Sequence, residues 1–374
     1  ILYLRRLQVE MLKAMVKPLK NQINLFVPGR VCLLGEHADW AGQYGRHTGY
    51  CLVIGTDQGI GAKATAADEL IVETPLPTPD GRPSGRHRRI RCRLDPADLL
   101  SAATDSSEFF RHCAGVAHEV IKHHDVGGIE LAIEKMDLPL KKGVSSSAAV
   151  CITVVRAFDA VYGLNLFPHE LMDLAYRGER LTGSQCGRMD QACIFGKTPV
   201  LLSFTGPDYV RIEPIFPEGQ IEMFFVDLAG QKDTVRILAD LQGAYADNAE
   251  LRAALGAYNE TFVRRGCRAL VQGDAAELGK VMTEAQKNFD AKIAPACPEQ
   301  LASPLLHKVL ALDSIAEHIH GGKGVGSQGD GTAQLVARSS DDRDEAMRKI
   351  TAEFPQMRCF PLTITPTRSA KNVI

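Results

Sequence analysis

The sequence has almost no imbalance of charge and no long apolar run. Lysine and arginine number 43 against 45 for aspartate and glutamate, so the net charge is −2, and no nucleic-acid partner is expected because phosphate backbones bind clustered cations. Charges interrupt the apolar residues near the start of the chain every few positions. We therefore predict neither a signal peptide nor a membrane partner. Hydrophobic residues make up 45% of the chain, which excludes a disordered or collagen-like protein.

The cysteines also lack informative spacing. Ten are present, but none forms a C-x-x-C pair, and no combination with histidine has the spacing of a tetrahedral metal site. We therefore expect no disulfide framework and predict a reducing, cytoplasmic compartment.

The 374 residues of the chain predict two domains, at roughly 150 residues per domain. Strand-like patterns give way to long helical ones near residues 205–220, which predicts a helical extension over 1–22, a first domain over 23–208 and a second over 209–374. Within the first domain, a stretch rich in Gly and Pro carries a basic run that is interpreted as a solvated loop. The run consists of Arg86, His87, Arg88, Arg89, Arg91 and Arg93.

A first segment with chemical character is GVSSSAA, residues 143–149, which leads directly into an apolar helix. The N-terminus of a helix has unpaired N–H groups and the positive end of the helix dipole, and small residues let an anion approach them. The segment thus fits a phosphate cradle and, equally, a plain serine N-cap. It is not a Walker loop, because the G-x-x-x-x-G-K-[ST] spacing is absent.

A second segment, PGRVCLLGEHADWAG, places Glu36, His37 and Asp39 in one loop after a strand that contains Arg30. Several polar groups beside an apolar strand can bind the hydroxyls of a small polar ligand, and an arginine adds a fixed cation. The alternative interpretation is a solvated turn.

A third segment, GERLTGSQCGRMDQ, has Glu179 and Asp190 on either side of a loop that contains glycine. Near a phosphate site, two such carboxylates suit a Mg²⁺ ligand and a base. The alternative is two solvated charges at helix ends.

Together these segments resemble the motifs of the GHMP small-molecule kinase superfamily, and of its galactokinases in particular. CGRMDQ is similar to the C-G-I-M-D-Q segment that holds the catalytic aspartate of the family, and LPLKKGVSSSAA to its ATP-binding motif. The late segment GKGVGSQGDGTAQ, residues 322–334, corresponds to a glycine-rich third motif. The first motif, P-G-R-V-N-L-I-G-E-H-T-D-Y-x-G, is matched by identity at Pro28, Gly29, Arg30, Val31, Leu33, Gly35, Glu36, His37, Asp39 and Gly42.

The resemblance implies an α+β, two-domain GHMP kinase fold. It has a mixed α/β N-terminal domain, a ferredoxin-like C-terminal domain and the active site in the cleft between them. The implied activity is ATP-dependent phosphorylation of a monosaccharide, a hexose, pentose or uronic acid, at the anomeric hydroxyl. The alternatives are a kinase for a non-sugar alcohol such as mevalonate and a sugar sensor without catalysis.

The resemblance also implies roles for single residues. Asp190 would accept the proton of the sugar hydroxyl, and Arg30 would supply positive charge for the transferred phosphoryl group. The sugar-binding residues would be Glu36, His37, Asp39, Gly187 and Asp190. The ATP-binding residues would be Lys142, Gly143, Val144, Ser145, Ser146, Ser147 and Ala148. Mg²⁺ would be bound by Ser147 and Glu179.

The sequence departs from the galactokinase pattern at several positions, namely Trp40, Lys141, Asp330, Thr332 and Ala333. The segment VDLAGQKDTVRILADL, residues 226–241, differs as well. We therefore predict that galactose is a secondary substrate and that Lys232 or Arg236 contacts the acceptor. The alternative is that both cations face solvent at the start of a helix.

Overall fold

The computed structural model of the chain describes residues 22–77, 83–138, 145–206 and 209–366. Nearly all of the predicted helical extension, residues 1–22, therefore lies outside the described residues. Where the structure does describe helices, none is both long enough and apolar enough to cross a membrane.

Strands and helices alternate along the described chain. The strands are β1 (Ile23–Leu34), β2 (Gly49–Ala67), β3 (Glu69–Pro77), β4 (Pro83–Arg93), β5 (Gly128–Met136), β6 (Val200–Phe204), β7 (Val210–Pro214), β8 (Ile221–Asp227), β9 (Ile319–Gly324), β10 (Thr332–Ala337) and β11 (Arg358–Ile364). The helices are α1 (Ala38–Gln43), α2 (Pro96–Thr104), α3 (Arg111–His123), α4 (Ser146–Tyr162), α5 (Pro168–Leu181), α6 (Thr234–Tyr245), α7 (Ala249–Ala253), α8 (Asn259–Gln272), α9 (Ala275–Lys292), α10 (Pro298–Leu301), α11 (Pro304–Leu310) and α12 (Ser340–Glu353).

These elements form two compact units that do not follow the two halves of the sequence. The first unit contains the described residues of 22–29, 58–138 and 146–186, and the second contains 30–57, 145 and 187–366. β1 and β2 each begin in one unit and end in the other. Parts of the chain that precede the predicted boundary at residue 208 therefore belong to the second unit.

The first unit combines a sheet with four helices. Its strands pair in the order β4-β3-β5-β2, with β3 parallel to β5 and the other pairs antiparallel. The helices α2 to α5 pack against one another and bury apolar side chains such as Val116 and Val155. The segment before Gly127 has apolar residues at helical spacing and the segment after it has a strand pattern, which predict a helix and a strand. The structure confirms both as α3 and β5.

The basic run lies in a strand, so its prediction as a solvated loop was wrong. It forms β4, which pairs antiparallel with β3. The physical reason is that carboxylates of neighbouring strands face its cations: the Nη1 atom of Arg89 lies 3.1 Å from Glu73, and its Nη2 atom lies 2.6 Å from Glu130. Arg91 also pairs with Glu69. Such cross-strand pairs favour an extended backbone.

The second unit contains a ferredoxin-like sheet, as predicted. Its strands lie in the order β11-β8-β10-β9, and all neighbours are antiparallel. The helices α6 to α11 connect β8 to β9, and α12 connects β10 to β11, which is the βαββαβ connection of that fold. Phe224, Leu335 and Ile350 are fully buried in its core.

A second apolar core fixes the short helix α1. Trp40 and Ala41 of α1 pack with Ile237 and Leu241 of α6 and with Phe289 of α9. The sequence around α6 predicts one long helix, but the chain turns before α7, where the side chain of Asn248 accepts a hydrogen bond from the backbone N–H of Leu251 at 2.9 Å. Asparagine is a favoured N-cap, so the break has a local cause.

Candidate active site

The loop between β1 and α1 depends on two residues with left-handed backbone. Gly35 has a φ of +104°, and a Cβ there would lie 2.1 Å from the carbonyl oxygen of Tyr50, so only glycine fits. His37, with a φ of 66°, leads into α1. The side chains of Glu36, His37 and Asp39 are at most 6% exposed. This burial excludes the alternative of a solvated turn.

Buried thiols lie behind this loop. The thiol of Cys51 donates a hydrogen bond to the carbonyl oxygen of Gly35 at 3.0 Å, and the thiol of Cys32 donates to that of Leu34 at 3.3 Å. Burial, and then the neighbouring Cys32, raises the pKa of Cys51. All ten cysteines of the chain are free.

Arg30 and Asp190 form an ion pair in the second unit. Asp190 is the first residue of the 3-10 helix Asp190–Phe195, and the Nη2 atom of Arg30 that binds it also donates to the hydroxyl of Ser145. Burial lowers the pKa of Arg30, but nearby acidic groups, with Asp190 first, raise it overall. The guanidinium is therefore a permanent cation.

Part of that buried guanidinium lacks a hydrogen-bond partner among the described residues. Arg30 is 3% exposed, yet no acceptor among the described residues lies within hydrogen-bond distance of its Nε and Nη1 atoms. Buried polar groups normally have partners, and a guanidinium is suited to oxygen anions. The arrangement can therefore bind an anion beside the carboxylate of Asp190.

The carboxylate of Asp39 lies against the Cα atom of Gly187. A Cβ at Gly187 would fall 1.7 Å from the Oδ2 atom of Asp39, so any other residue would displace the carboxylate. Burial, and then the charge of Asp190, raises the pKa of Asp39 to about 6. The structure thus gives Gly187 a role in placing Asp39, and its contact with a sugar stays a prediction.

Trp40 explains how His37 is oriented. The Nδ1 atom of His37 accepts a hydrogen bond from the indole Nε1 of Trp40 at 3.1 Å. Burial, and then the charges of Lys232 and Lys323, lower the pKa of His37 to about 4. The ring is therefore neutral at pH 7, and because Nδ1 is an acceptor, its proton is on Nε2. Trp40, which departs from the galactokinase pattern, thus fixes the tautomer of His37.

Lys323, which was not among the predicted site residues, forms an ion pair with the Oε1 atom of Glu36. Lys323 is 2% exposed and also donates to the carbonyl oxygen of Gly324 at 2.8 Å. Nearby, the side chain of Gln334 donates to the carbonyl oxygen of Cys32 at 2.7 Å. The available signal was a lysine within the run HGGKGV, but the resemblance gave this glycine-rich third motif no role in binding the acceptor.

Residues 110–197 match the family model described as GHMP kinases N terminal domain. The galactokinase of Thermococcus kodakarensis is 24% identical to the chain over 91% of the chain and 96% of the relative. That of Pyrococcus furiosus is 24% identical over 75% and 80%. Residues 110–197 therefore correspond to a GHMP kinase N-terminal domain, and the chain is similar to galactokinases over most of its length.

Solved structures of GHMP kinases have the same fold. Mevalonate kinase of L. major in complex with R-mevalonate superposes with a TM-score of 0.69 and 20% identity over 95% of this chain and 100% of that one. Galactokinase of Lactococcus lactis complexed with galactose superposes with a TM-score of 0.68 and 16% identity over 98% and 99%. The predicted GHMP kinase fold is confirmed.

The structure describes only part of the predicted ATP-binding segment. Lys142, Gly143 and Val144 lie outside the described residues. Ser145 has a φ of 56° and precedes α4, whose first residues are Ser146, Ser147 and Ala148. The start of α4 therefore presents N–H groups and small side chains, as a phosphate cradle requires.

The predicted metal ligands lie at corresponding ends of two packed helices in the first unit. Ser147 is in the first turn of α4, and Glu179, which is 1% exposed, is in the last turn of α5. Residues 163–167 join the two helices, and a short connection makes packed helices antiparallel. Within the described ranges no cluster of three or more His, Cys, Asp or Glu could hold a metal. One hydroxyl and one carboxylate suit Mg²⁺, which keeps waters and binds substrate phosphates.

The departures in the third motif have structural roles. The Oδ1 atom of Asp330 accepts the backbone N–H groups of Leu305 and Leu306 at 2.8 and 3.0 Å, so it caps the start of α11. Thr332 and Ala333 are buried in β10.

The two cations predicted to contact the acceptor have protein partners. The Nζ atom of Lys232 donates to the carbonyl oxygen of Gln328 at 2.9 Å. Arg236 pairs with Glu299 at 2.6 Å and is 49% exposed at the start of α6, which fits the alternative of a solvent-facing cation.

Proposed function

We propose that the chain transfers the γ-phosphoryl group of ATP to the anomeric hydroxyl of a monosaccharide. The chain is an ATP-dependent phosphotransferase with an alcohol acceptor. The sugar and the position of transfer are the proposal, which the two galactokinase relatives support. The observation that carries it is the ion pair of buried Arg30 with half-buried Asp190, in which two guanidinium nitrogens have no acceptor among the described residues.

Asp190 and Arg30 supply the proton transfer and the charge stabilisation. As the acceptor oxygen bonds to the γ-phosphorus and the bond to ADP breaks, Asp190 takes the proton of the acceptor hydroxyl. Arg30 fixes the carboxylate through Nη2, and its Nε and Nη1 atoms can stabilise charge on the transferred phosphoryl oxygens. One buried side chain thus orients the base and stabilises the transferred group.

The nucleotide phosphates would bind at the start of α4, on Lys142 to Ala148. Mg²⁺ would be held by Ser147 and Glu179, and it would neutralise phosphate charge when bound. Glu179 is suited to this role because it is a carboxylate within a buried helix turn.

Glu36, His37 and Asp39 would bind the remaining sugar hydroxyls. Neutral His37 would donate a hydrogen bond from Nε2 to one hydroxyl. Glu36 would accept one through its Oε2 atom, since its Oε1 atom already accepts from Lys323. Asp39, with a pKa of about 6, accepts at neutral pH. Buried groups that hydrogen-bond a hydroxyl reject an epimer that leaves them unpaired.

A coupled assay of ADP release tests the proposal with ATP, MgCl₂ and a panel that includes galactose, galacturonate, arabinose and mevalonate. We expect turnover with a sugar, and a ³¹P spectrum of the product with phosphate on the anomeric carbon. Turnover with mevalonate alone would make the protein a kinase for a non-sugar alcohol. Binding of a sugar without ADP release from any acceptor would make it a sensor.

A further inference from the structure

Lys323 and Glu36 form a buried ion pair outside the catalytic pair of Arg30 and Asp190. Their side chains are 2% and 4% exposed. Lys323 lies in β9 of the ferredoxin-like sheet, where its register partner in β10 is Gln334. Removing two charges from water is costly, and an apolar pair of similar volume is often as stable. A purely structural role therefore explains this pair poorly.

The two carboxylate oxygens of Glu36 differ in their hydrogen-bond partners. Oε1 accepts from the Nζ atom of Lys323, which is itself anchored on the carbonyl oxygen of Gly324. No hydrogen bond joins Oε2 to the residues that the structure describes. The ammonium thus fixes the plane of the carboxylate and leaves a single oxygen for a ligand.

The pair also borders a cavity of about 30 Å³ with a mixed lining, in which Asn259 and Asn288 lie beside apolar residues such as Leu255 and Phe262. By volume such a cavity holds about two water molecules. Without Lys323, water could therefore solvate Glu36 and let its carboxylate rotate.

We propose that Lys323 is a positioning residue that sets acceptor specificity by holding Glu36 in one orientation. The inference rests on the proposed function, since it takes Glu36 as a group that binds an acceptor hydroxyl. A fixed carboxylate with one available oxygen accepts a hydrogen bond from a hydroxyl in one direction only. It therefore discriminates between two sugars that differ in the configuration of that hydroxyl. A carboxylate free to rotate serves both epimers.

The experiment compares Lys323→Met, Lys323→Arg, Glu36→Gln and the double variant Glu36→Gln, Lys323→Met with the wild type. The double variant replaces the ion pair by a neutral one, which avoids an unpaired buried charge if Lys323→Met alone does not fold. Lys63→Met is the matched control, because Lys63 forms an exposed ion pair with Glu134 at 2.6 Å.

The measurements are KM for the preferred sugar, KM for ATP, the ratio of kcat/KM between two epimers, and sugar titrations of tryptophan fluorescence. Trp40 is the single tryptophan of the chain and hydrogen-bonds His37 in the same loop. We expect Lys323→Met to raise the sugar KM about tenfold or more and to bring the epimer ratio close to one. KM for ATP should stay within about threefold. Lys323→Arg should restore part of the selectivity.

In the Glu36→Gln background, Lys323→Met should change the sugar KM by less than about twofold, because the residue acts through Glu36. Additive effects of the two substitutions, or an unchanged epimer ratio in Lys323→Met, would overturn the proposal. Failure of the proposed function is distinguishable: the wild type would then release no ADP with any sugar. The fluorescence titration would still report whether Lys323 controls sugar affinity.

Discussion

Asp39 and Asp190 are two carboxylates near one guanidinium, and their environments separate their roles. Asp190 pairs directly with Arg30 and is 26% exposed, so it can meet an acceptor hydroxyl. Asp39 is 5% exposed against Gly187, where burial raises its pKa to about 6. A raised carboxyl pKa within a cluster of charged groups is typical of sites that perform acid–base chemistry.

Asp190→Asn tests the residue that accepts the proton. Asparagine keeps the size and a hydrogen bond to Arg30 but is not a base, so turnover should fall by about two to four orders of magnitude. Nucleotide affinity, measured by calorimetry, should change little. Asp57→Asn is the control, because Asp57 forms a more exposed ion pair with Lys197. Turnover near the wild-type value in Asp190→Asn would remove Asp190 from the chemistry.

Asp39 links stability to pH. Folding raises its pKa from 3.8 to about 6, so the folded state binds more protons than the unfolded state between these values. The free energy of unfolding therefore falls as pH rises through this window, by on the order of 2–3 kcal/mol in total. Asp39→Asn should then stabilise the protein at pH 7.5 but not at pH 4, as measured by urea unfolding.

The Asp39→Asn variant should also raise the sugar KM at pH 7.5, because it removes a carboxylate that accepts a hydrogen bond from a sugar hydroxyl. For the wild type, the sugar KM should rise as pH falls through about 6. A wild-type sugar KM that does not change between pH 5 and pH 7.5 would contradict the assignment.

At the scale of elements, Asp330 departs from the galactokinase pattern in the third motif, and its side chain caps the helix α11. Its carboxylate accepts two N–H groups at the start of α11. Asp330→Ala should lower the free energy of unfolding by about 1 kcal/mol, as for loss of a cap. Asp330→Asn, which keeps an acceptor, should lose less. Steady-state kinetics should be nearly unchanged in Asp330→Asn, and a large rise in its KM for ATP would indicate a role in nucleotide binding instead.

Elements with a regular apolar period could be predicted from the sequence, and those shaped by partners distant in the chain could not. α3 follows from its helical spacing and from Gly127 after it. β4 was missed because Gly, Pro and clustered charge are typical of loops, whereas Glu73 and Glu130 stabilise the strand from other segments. Lys323 was missed for the same reason, since Glu36 lies 287 positions away in the chain.

At the scale of the whole molecule, the fold class and the similarity to GHMP kinases could be predicted, because short motifs such as PGRVCLLGEHADWAG carry the resemblance. The division into compact units could not. Sequence patterns locate changes of secondary structure along the chain, whereas β1 and β2 run from one unit into the other without any such change.

This division predicts the behaviour of a fragment that contains only residues 209–374. The fragment lacks Trp40 and Ala41, which pack with Ile237 and Leu241, so it would expose that core. We expect it to show no cooperative urea transition by circular dichroism, in contrast to the full chain. A cooperative transition with the midpoint of the full chain would show that the second half folds alone.

The hydrogen bond from the Cys51 thiol to the carbonyl oxygen of Gly35 allows the opening of the loop between β1 and α1 to be followed by the rate of a chemical reaction. The thiol is completely buried and its pKa is raised, so an alkylating reagent reacts with it only in molecules whose loop has opened. The rate of alkylation at Cys51, followed by mass spectrometry, therefore measures the open population. A sugar that binds the closed loop should slow the modification in proportion to its occupancy, and this gives a dissociation constant without any turnover.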